Sequence, residues 1–217
     1  MIEIPVHNAE GKQVDQLRVD QRLLGGELRL ALLKQAYVRS HANRRQGTAS
    51  TRNRTRVEGS TRKLMRQKGT GGARHGDKKA NLMRGGGHAH AKTAKSWRQR
   101  MPVKMRRLAN RNALLAKAID GEIKLLDSLA FDQPNTKRFA GLLDVLSIDR
   151  TCLVALGSGQ SKEARSAANL EHVSVTQIDR LNVFDLLNHR YLLAEKAVLQ
   201  AWIEAGPAGS KGAASDA

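Results

Sequence analysis

The chain has 217 residues, with 38 Lys and Arg against 20 Asp and Glu, 3% aromatics and a single cysteine, Cys152. One cysteine excludes an internal disulfide framework and a cysteine-based zinc site. No apolar run approaches the ~18–20 residues of a membrane span, and the first residues lack the basic and apolar stretches of a secretory signal. A soluble cytoplasmic protein with no membrane is therefore the expectation, and its net charge of +18 points to an anionic partner.

Residues 2–6 and 13–18 read as two short strands around a turn at Asn8–Lys12. Leu28, Leu32 and Ala36, together with Leu30, Leu33 and Tyr37, fall at helical spacing and predict a helix over about 26–42 with a wide apolar face. After a long polar stretch, Pro102 is placed as the first residue of a second helix, which Gly121 stops. On this helix Leu108, Leu115 and Ile119 share one face, and Lys104, Arg107 and Arg111 share another. Residues 122–127 read as a strand, and 134–146 as a helix with Phe139, Leu142, Leu143 and Leu146 inward. The apolar run 151–157 has the form of a strand buried on both faces. A short helix (160–168), a strand (172–176), a helical turn (182–187), a strand (191–194) and a last helix (195–205) with Val198 and Trp202 inward complete the pattern. Such alternation predicts an α/β fold with a mostly parallel sheet flanked by helices. A long basic irregular loop is inserted between the first two long helices. The expected organisation is a globular α/β domain from 1–42 and 99–205, an extended loop at 43–98 and a disordered tail at 206–217.

Charge is concentrated in one region. Residues 39–111 hold 22 Lys and Arg against Glu58 and Asp77, while the rest of the chain holds 16 basic and 18 acidic residues. Only 10 of those 73 residues are Leu, Ile, Val, Met, Phe, Trp or Tyr. The loop therefore cannot bury enough apolar surface to offset its ordering entropy, and it should be mobile without a partner. A loop of this length in a small domain is normally functional. Its cations are Arg44, Arg45, Arg52, Arg54, Arg56, Arg62, Lys63, Arg66, Lys68, Arg74, Lys78, Lys79, Arg84, Lys92, Lys95, Arg98 and Arg100. They stand singly among Gly, Thr, Ser, Asn and Gln. Arginine forks grip phosphates and stack on bases, and a flexible basic segment of this kind suits the interior of a folded RNA. Lys104, Arg107 and Arg111 extend the basic surface onto the following helix.

Other chemistry is poorly supported. Gly71 to Gly76 has the first spacing of a phosphate-binding loop but continues Asp77-Lys78, which breaks it. Gly69, Gly71 and Gly72, with Gly85, Gly86 and Gly87, read as backbone freedom for close approach to a polynucleotide. Gly157-Ser158-Gly159 follows a strand and precedes a helix, yet Lys162 occupies the third glycine position of a dinucleotide fingerprint, so a structural turn is favoured. His75, His88 and His90 lack nearby cysteines and sit among cations, so RNA contact fits them better than a metal. No cofactor is expected.

Five runs, in order, are Ala-Asn-Arg-Arg-Gln-Gly-Thr (42–48), Arg-Gln-Lys-Gly-Thr-Gly (66–71), Ala-Arg-His-Gly (73–76), Gly-Gly-Gly (85–87) and Val-Lys-Met-Arg-Arg-Leu-Ala (103–109). Leu-Asn-Val-Phe-Asp-Leu-Leu-Asn-His (181–189) follows. Together they resemble the bacterial large-subunit ribosomal protein L-four family over roughly residues 1–205. The resemblance implies a non-enzymatic structural constituent of the large ribosomal subunit. It also implies a globular α/β domain on the subunit surface and a basic loop threading through large-subunit rRNA, among neighbouring ribosomal proteins. By the same resemblance the loop tip, Arg66, Gln67, Lys68 and Gly69, borders the polypeptide exit tunnel and the nascent peptide within it. Some bacterial members also repress their own operon through its leader mRNA. Met65 stands where the family usually has Trp, Gly72 where Arg is usual, and residues 88–90 replace a more apolar stretch. A nucleotide-binding α/β enzyme and a generic polyanion-binding protein are the alternatives.

Overall fold

A computed structural model describes residues 1–205; the tail at 206–217, expected to be disordered, lies outside the described residues. The chain divides into two units, one made of residues 1–41 and those from Arg100 onward, the other of Ala42–Gln99.

The first unit is a mixed α/β fold. Its elements in chain order are β1 (Ile2–His7), β2 (Gln13–Val19), α1 (Leu30–Asn43), α2 (Val103–Ile119), β3 (Ile123–Leu126), α3 (Thr136–Val145), β4 (Cys152–Leu156), α4 (Ser161–Ala167), β5 (Val173–Gln177), α5 (Val183–Asn188), β6 (Tyr191–Glu195) and α6 (Lys196–Ala205). The six strands form one sheet in the order β2-β1-β3-β6-β4-β5. Only β1 and β2 pair antiparallel; every other neighbouring pair is parallel. The β1–β2 hairpin closes through the Asn8 side chain, whose Oδ1 accepts from the N–H groups of Glu10 and Lys12. Gly11 supplies the left-handed residue of this turn at φ 78°.

Helices cover both faces of the sheet. Leu153, Ala155, Leu125 and Leu192 point to one apolar cluster, shared with Leu114 and Leu115 of α2 and Leu199 and Trp202 of α6. Their strand neighbours Cys152, Val154, Leu156, Leu126 and Leu193 point to the other, shared with Phe139, Leu142 and Leu143 of α3. This is the period-two alternation of a strand. All five residues of β4 are buried, because both its faces are covered.

Four local expectations are corrected. The first helix begins at Leu30 rather than near residue 26. Asn112 of α2, wholly buried, donates to the Glu27 carbonyl at 2.6 Å and accepts from the Arg29 N–H at 2.7 Å, which holds the preceding segment in a non-helical path. The apolar face of α1 is also narrower than predicted, since Leu33 and Ala36 are buried while Leu30 is 70% exposed. Pro102 is the N-cap of α2 and not its first helical residue. Ile119, at the end of α2, is exposed. Two 3-10 turns, Gln21–Leu24 and Ile178–Arg180, have no signal in the apolar periodicity.

Candidate nucleic-acid interface

Residues 44–102 contain no helix or strand, yet Ala42–Gln99 is not an arbitrary coil. Its two legs run past each other and exchange hydrogen bonds at intervals. At the base, Asn43 donates from Nδ2 to the Gln99 carbonyl and accepts from the Gln99 N–H at Oδ1. Next, the Lys95 N–H donates to the Gly47 carbonyl and the Thr51 N–H to the Lys92 carbonyl, and Thr51 Oγ1 accepts from the Lys92 N–H. The His88 N–H then donates to the Arg52 carbonyl, and the Leu64 N–H to the Gly76 carbonyl. The paired positions close inward along the chain, so the turn at the apex lies between Leu64 and Gly76 and contains the Arg66–Gly71 motif. Within it Arg66 donates to the Gly69 carbonyl at 3.1 Å, and Gln67 Oε1 accepts from Lys63 Nζ.

Glycine has a specific task where the chain passes close to itself. A Cβ on Gly87 would lie 2.2 Å from the Arg54 nitrogen, one on Gly86 1.9 Å from the Ala80 oxygen, and one on Gly47 2.2 Å from the Lys95 oxygen. These glycines serve contacts within the chain. Gly71, Gly72, Gly76 and Gly85 face open space. The base of the legs is also fastened by Trp97, with the Arg45 guanidinium 4.0 Å and the Lys95 ammonium 4.3 Å from its ring, a cation–π arrangement. Nothing in the basic pattern singled out Trp97.

No apolar side chain between 42 and 99, all of them described, is buried; the one buried residue is Gly87. Arg44, Arg45, Arg52, Arg54, Arg56, Arg62, Lys63, Arg66, Lys68, Arg74, Lys78, Arg84, Lys92, Lys95 and Arg98 are exposed, and Lys79 is half-buried. Of the two acids, Asp77 faces Arg54 at 3.8 Å and Glu58 is exposed. His75 is half-buried, and His88 and His90 are exposed. In the other unit, Arg100 and Lys104 are exposed, while Arg107 and Arg111 are half-buried.

The Gly157-Ser158-Gly159 turn has a different character. Gln160 occupies it: its Oε1 accepts from the Gly157 N–H at 2.7 Å, and its Nε2 donates to the Leu129 carbonyl and to Glu195. Glu163 accepts from the Phe131 N–H. The crevice beside this turn is lined by Gln160, Glu163 and Glu195, and two carboxylates make a surrounding unsuited to a nucleotide phosphate. Cys152 is buried, and desolvation pushes its thiol up to about 12. Among the described residues no helix is long and apolar enough to cross a membrane.

The chain is similar in sequence to large ribosomal subunit protein uL4 of Dehalococcoides mccartyi strain BAV1, with 39% identity over 92% of this chain and 95% of that protein. Large ribosomal subunit protein uL4 of Moorella thermoacetica is 39% identical over 90% of this chain and 95% of its own length. That of Natranaerobius thermophilus is 36% identical over the same shares. The family model described as "Ribosomal protein L4/L1 family" matches residues 17–205, and with relatives this similar over nearly the whole chain, the protein belongs to that family.

Proposed function

We propose that this chain is a structural constituent of the large ribosomal subunit that binds large-subunit rRNA through the basic segment 42–99. Members of this family are structural and not catalytic, and they work in translation as cytoplasmic ribosome components. The observation that carries the rRNA reading is the composition of the two-legged segment. Sixteen cations meet two acids there, fifteen of the sixteen are exposed, and no apolar side chain is buried. Like charges packed this densely repel one another in the isolated protein. An RNA interior, with a phosphate at every nucleotide, relieves that repulsion and takes up the bidentate arginines.

The apex residues Arg66, Gln67, Lys68 and Gly69 are proposed to border the polypeptide exit tunnel, beside the nascent peptide. The turn there is narrow and glycine-rich, and Arg66 is held by its own bond to the Gly69 carbonyl, so it can enter between RNA helices. Repression of an operon through its leader mRNA would use the same basic surface.

Binding of the full chain to a bacterial large-subunit rRNA transcript across salt concentrations tests the reading. With half of the 22 cations of 39–111 engaged, log K against log salt should fall with a slope on the order of −8 to −10. A slope near −2 would contradict it. For the apex, Lys68→Glu should leave subunits able to assemble but alter sensitivity to macrolides, which bind in the tunnel; an unchanged drug response would remove the apex from the tunnel wall.

A further inference from the structure

The first unit contains a cavity of about 150 Å³ that none of the insert's chemistry explains. Arg39 and Ser40 of α1, Arg106 and Arg107 of α2, and Asp179 and Asn182 of the segment leading into α5 line it. The Asn182 side chain is already engaged, accepting from the Asp185 N–H and donating to the Asp185 carboxylate. Asn110, also on the wall, donates to the Leu181 carbonyl. These two amides build the wall and are not available to a ligand.

Arg106 and Arg107 are different. The Nε atoms of both are buried and have no hydrogen-bond partner among the described residues. A guanidinium does not lose its charge in proteins, and a buried donor without a partner is destabilising. Their place on α2 adds to the cost. A helix N-terminus carries positive partial charge and favours acids. The first turn of α2 has no acid, and Pro102 provides no side-chain cap. Lys104, Arg106 and Arg107 instead put three cations into the first two turns. Two orphaned arginine donors, a lined cavity and an uncompensated helix terminus all lack the same thing, an anion with several acceptor oxygens.

We infer that this cavity takes a backbone phosphate of RNA, gripped by Arg106 and Arg107, as an anchor separate from segment 42–99. RNA is favoured over an acidic protein segment because the exposed Lys104 and half-buried Arg111 continue the positive surface along α2, which a continuous phosphate backbone can follow. Asp179, exposed at the rim, limits how closely a second phosphate can approach. The inference rests on the rRNA-binding reading above.

The test uses the full chain and two probes. The first is the large-subunit rRNA transcript, with wild type compared with Arg106→Gln/Arg107→Gln and with Arg106→Lys/Arg107→Lys. The Gln variant should bind about tenfold to thirtyfold more weakly, as for losing one or two charged hydrogen bonds, and its salt slope should shrink by about 1 to 2. Its melting temperature should be unchanged or higher, because two buried Nε–H donors without partners are gone. The Lys variant should keep most of the salt slope but lose part of the affinity, since it retains charge without the bidentate fork. The second probe is inorganic phosphate, which should shift the Nε–H resonances of Arg106 and Arg107 in the free protein. Resonances that ignore phosphate would overturn the site, even where the wild type binds rRNA steeply. Shifted resonances with undiminished rRNA affinity in the Gln variant would overturn RNA as the occupant and leave a site for small anions. A Gln variant that melts well below wild type would make the arginines structural. Absence of steep rRNA binding by the wild type itself would instead defeat the rRNA reading on which the occupant rests.

Discussion

Along β4 every residue is buried, whereas between residues 42 and 99 no side chain is. The sheet unit is held by two apolar clusters, one on each face, and burial there scales at about 25 cal/mol per Å². Segment 42–99 is held by a few cross-leg hydrogen bonds, a cation–π clamp and glycines that let the legs approach. A hydrogen bond contributes about 0.5–1.5 kcal/mol net, and ordering one residue's backbone costs about 1–2 kcal/mol. One cross-leg contact every several residues does not reach that cost. The difference teaches that the two units obey different rules, and we propose that one is ordered by its own sequence and the other by what it binds.

Removing the second unit should have the largest effect. With 47–98 replaced by a short Gly/Ser linker, the remaining chain should stay soluble with a cooperative thermal transition. Its rRNA affinity should fall by about 10³-fold or more, the scale of losing many phosphate contacts. Loss of the transition, or retained affinity, would erase the contrast between the units.

Cavity formation sharpens it. Leu193 is fully buried in the sheet, and Leu193→Ala should cost about 2–5 kcal/mol in urea unfolding. Leu64 at the apex is 43% exposed, and Leu64→Ala should change stability by less than about 0.5 kcal/mol. Gly87→Ala goes further into the segment. Its Cβ would collide with the Arg54 nitrogen and part the legs near the His88–Arg52 bond. Unfolding of the sheet unit should be unaffected, while rRNA binding weakens several-fold because the bound arrangement of the legs is strained. Equal binding by the Ala variant would show that the legs need no fixed spacing.

The smallest effect concerns Cys152. Burial raises its thiol from an ordinary 9.0 to about 12. The folded state therefore keeps a proton that the unfolded state releases, so this contribution to stability is complete below pH 9 and declines as pH rises towards 12. Cys152→Ser or Cys152→Ala should lessen that alkaline loss, and native protein at pH 8 should resist alkylation. Rapid alkylation of the folded chain would show that β4 opens more readily than its burial implies.

Much of the sheet unit is legible in the sequence because its signals are local. The run 151–157 marks a doubly covered strand, and the spacing of Phe139, Leu142, Leu143 and Leu146 marks the buried face of α3, all four being buried. Charge and glycine content mark the basic segment equally well. What the sequence hides depends on distant partners. The start of α1 is set by Asn112, more than eighty residues away. Arg106 carries no signal of its own beside Arg107, since its orphaned Nε becomes apparent only where the 179–183 segment, α2 and α1 line one cavity. Trp97 reads as one aromatic among cations until Arg45 and Lys95 are found on its ring. The role of Gly87 depends on its meeting Arg54 on the other leg.

Hydrogen exchange on the full chain, free and bound to the large-subunit rRNA transcript, tests the central claim most directly. Free protein should show slow exchange along β3, β4 and β6 and near-immediate labelling across 43–98. On binding, protection should spread through 43–98, while the strands change little. Strong protection of 43–98 in the free protein, or no gain on binding rRNA, would contradict a segment whose order comes from its partner.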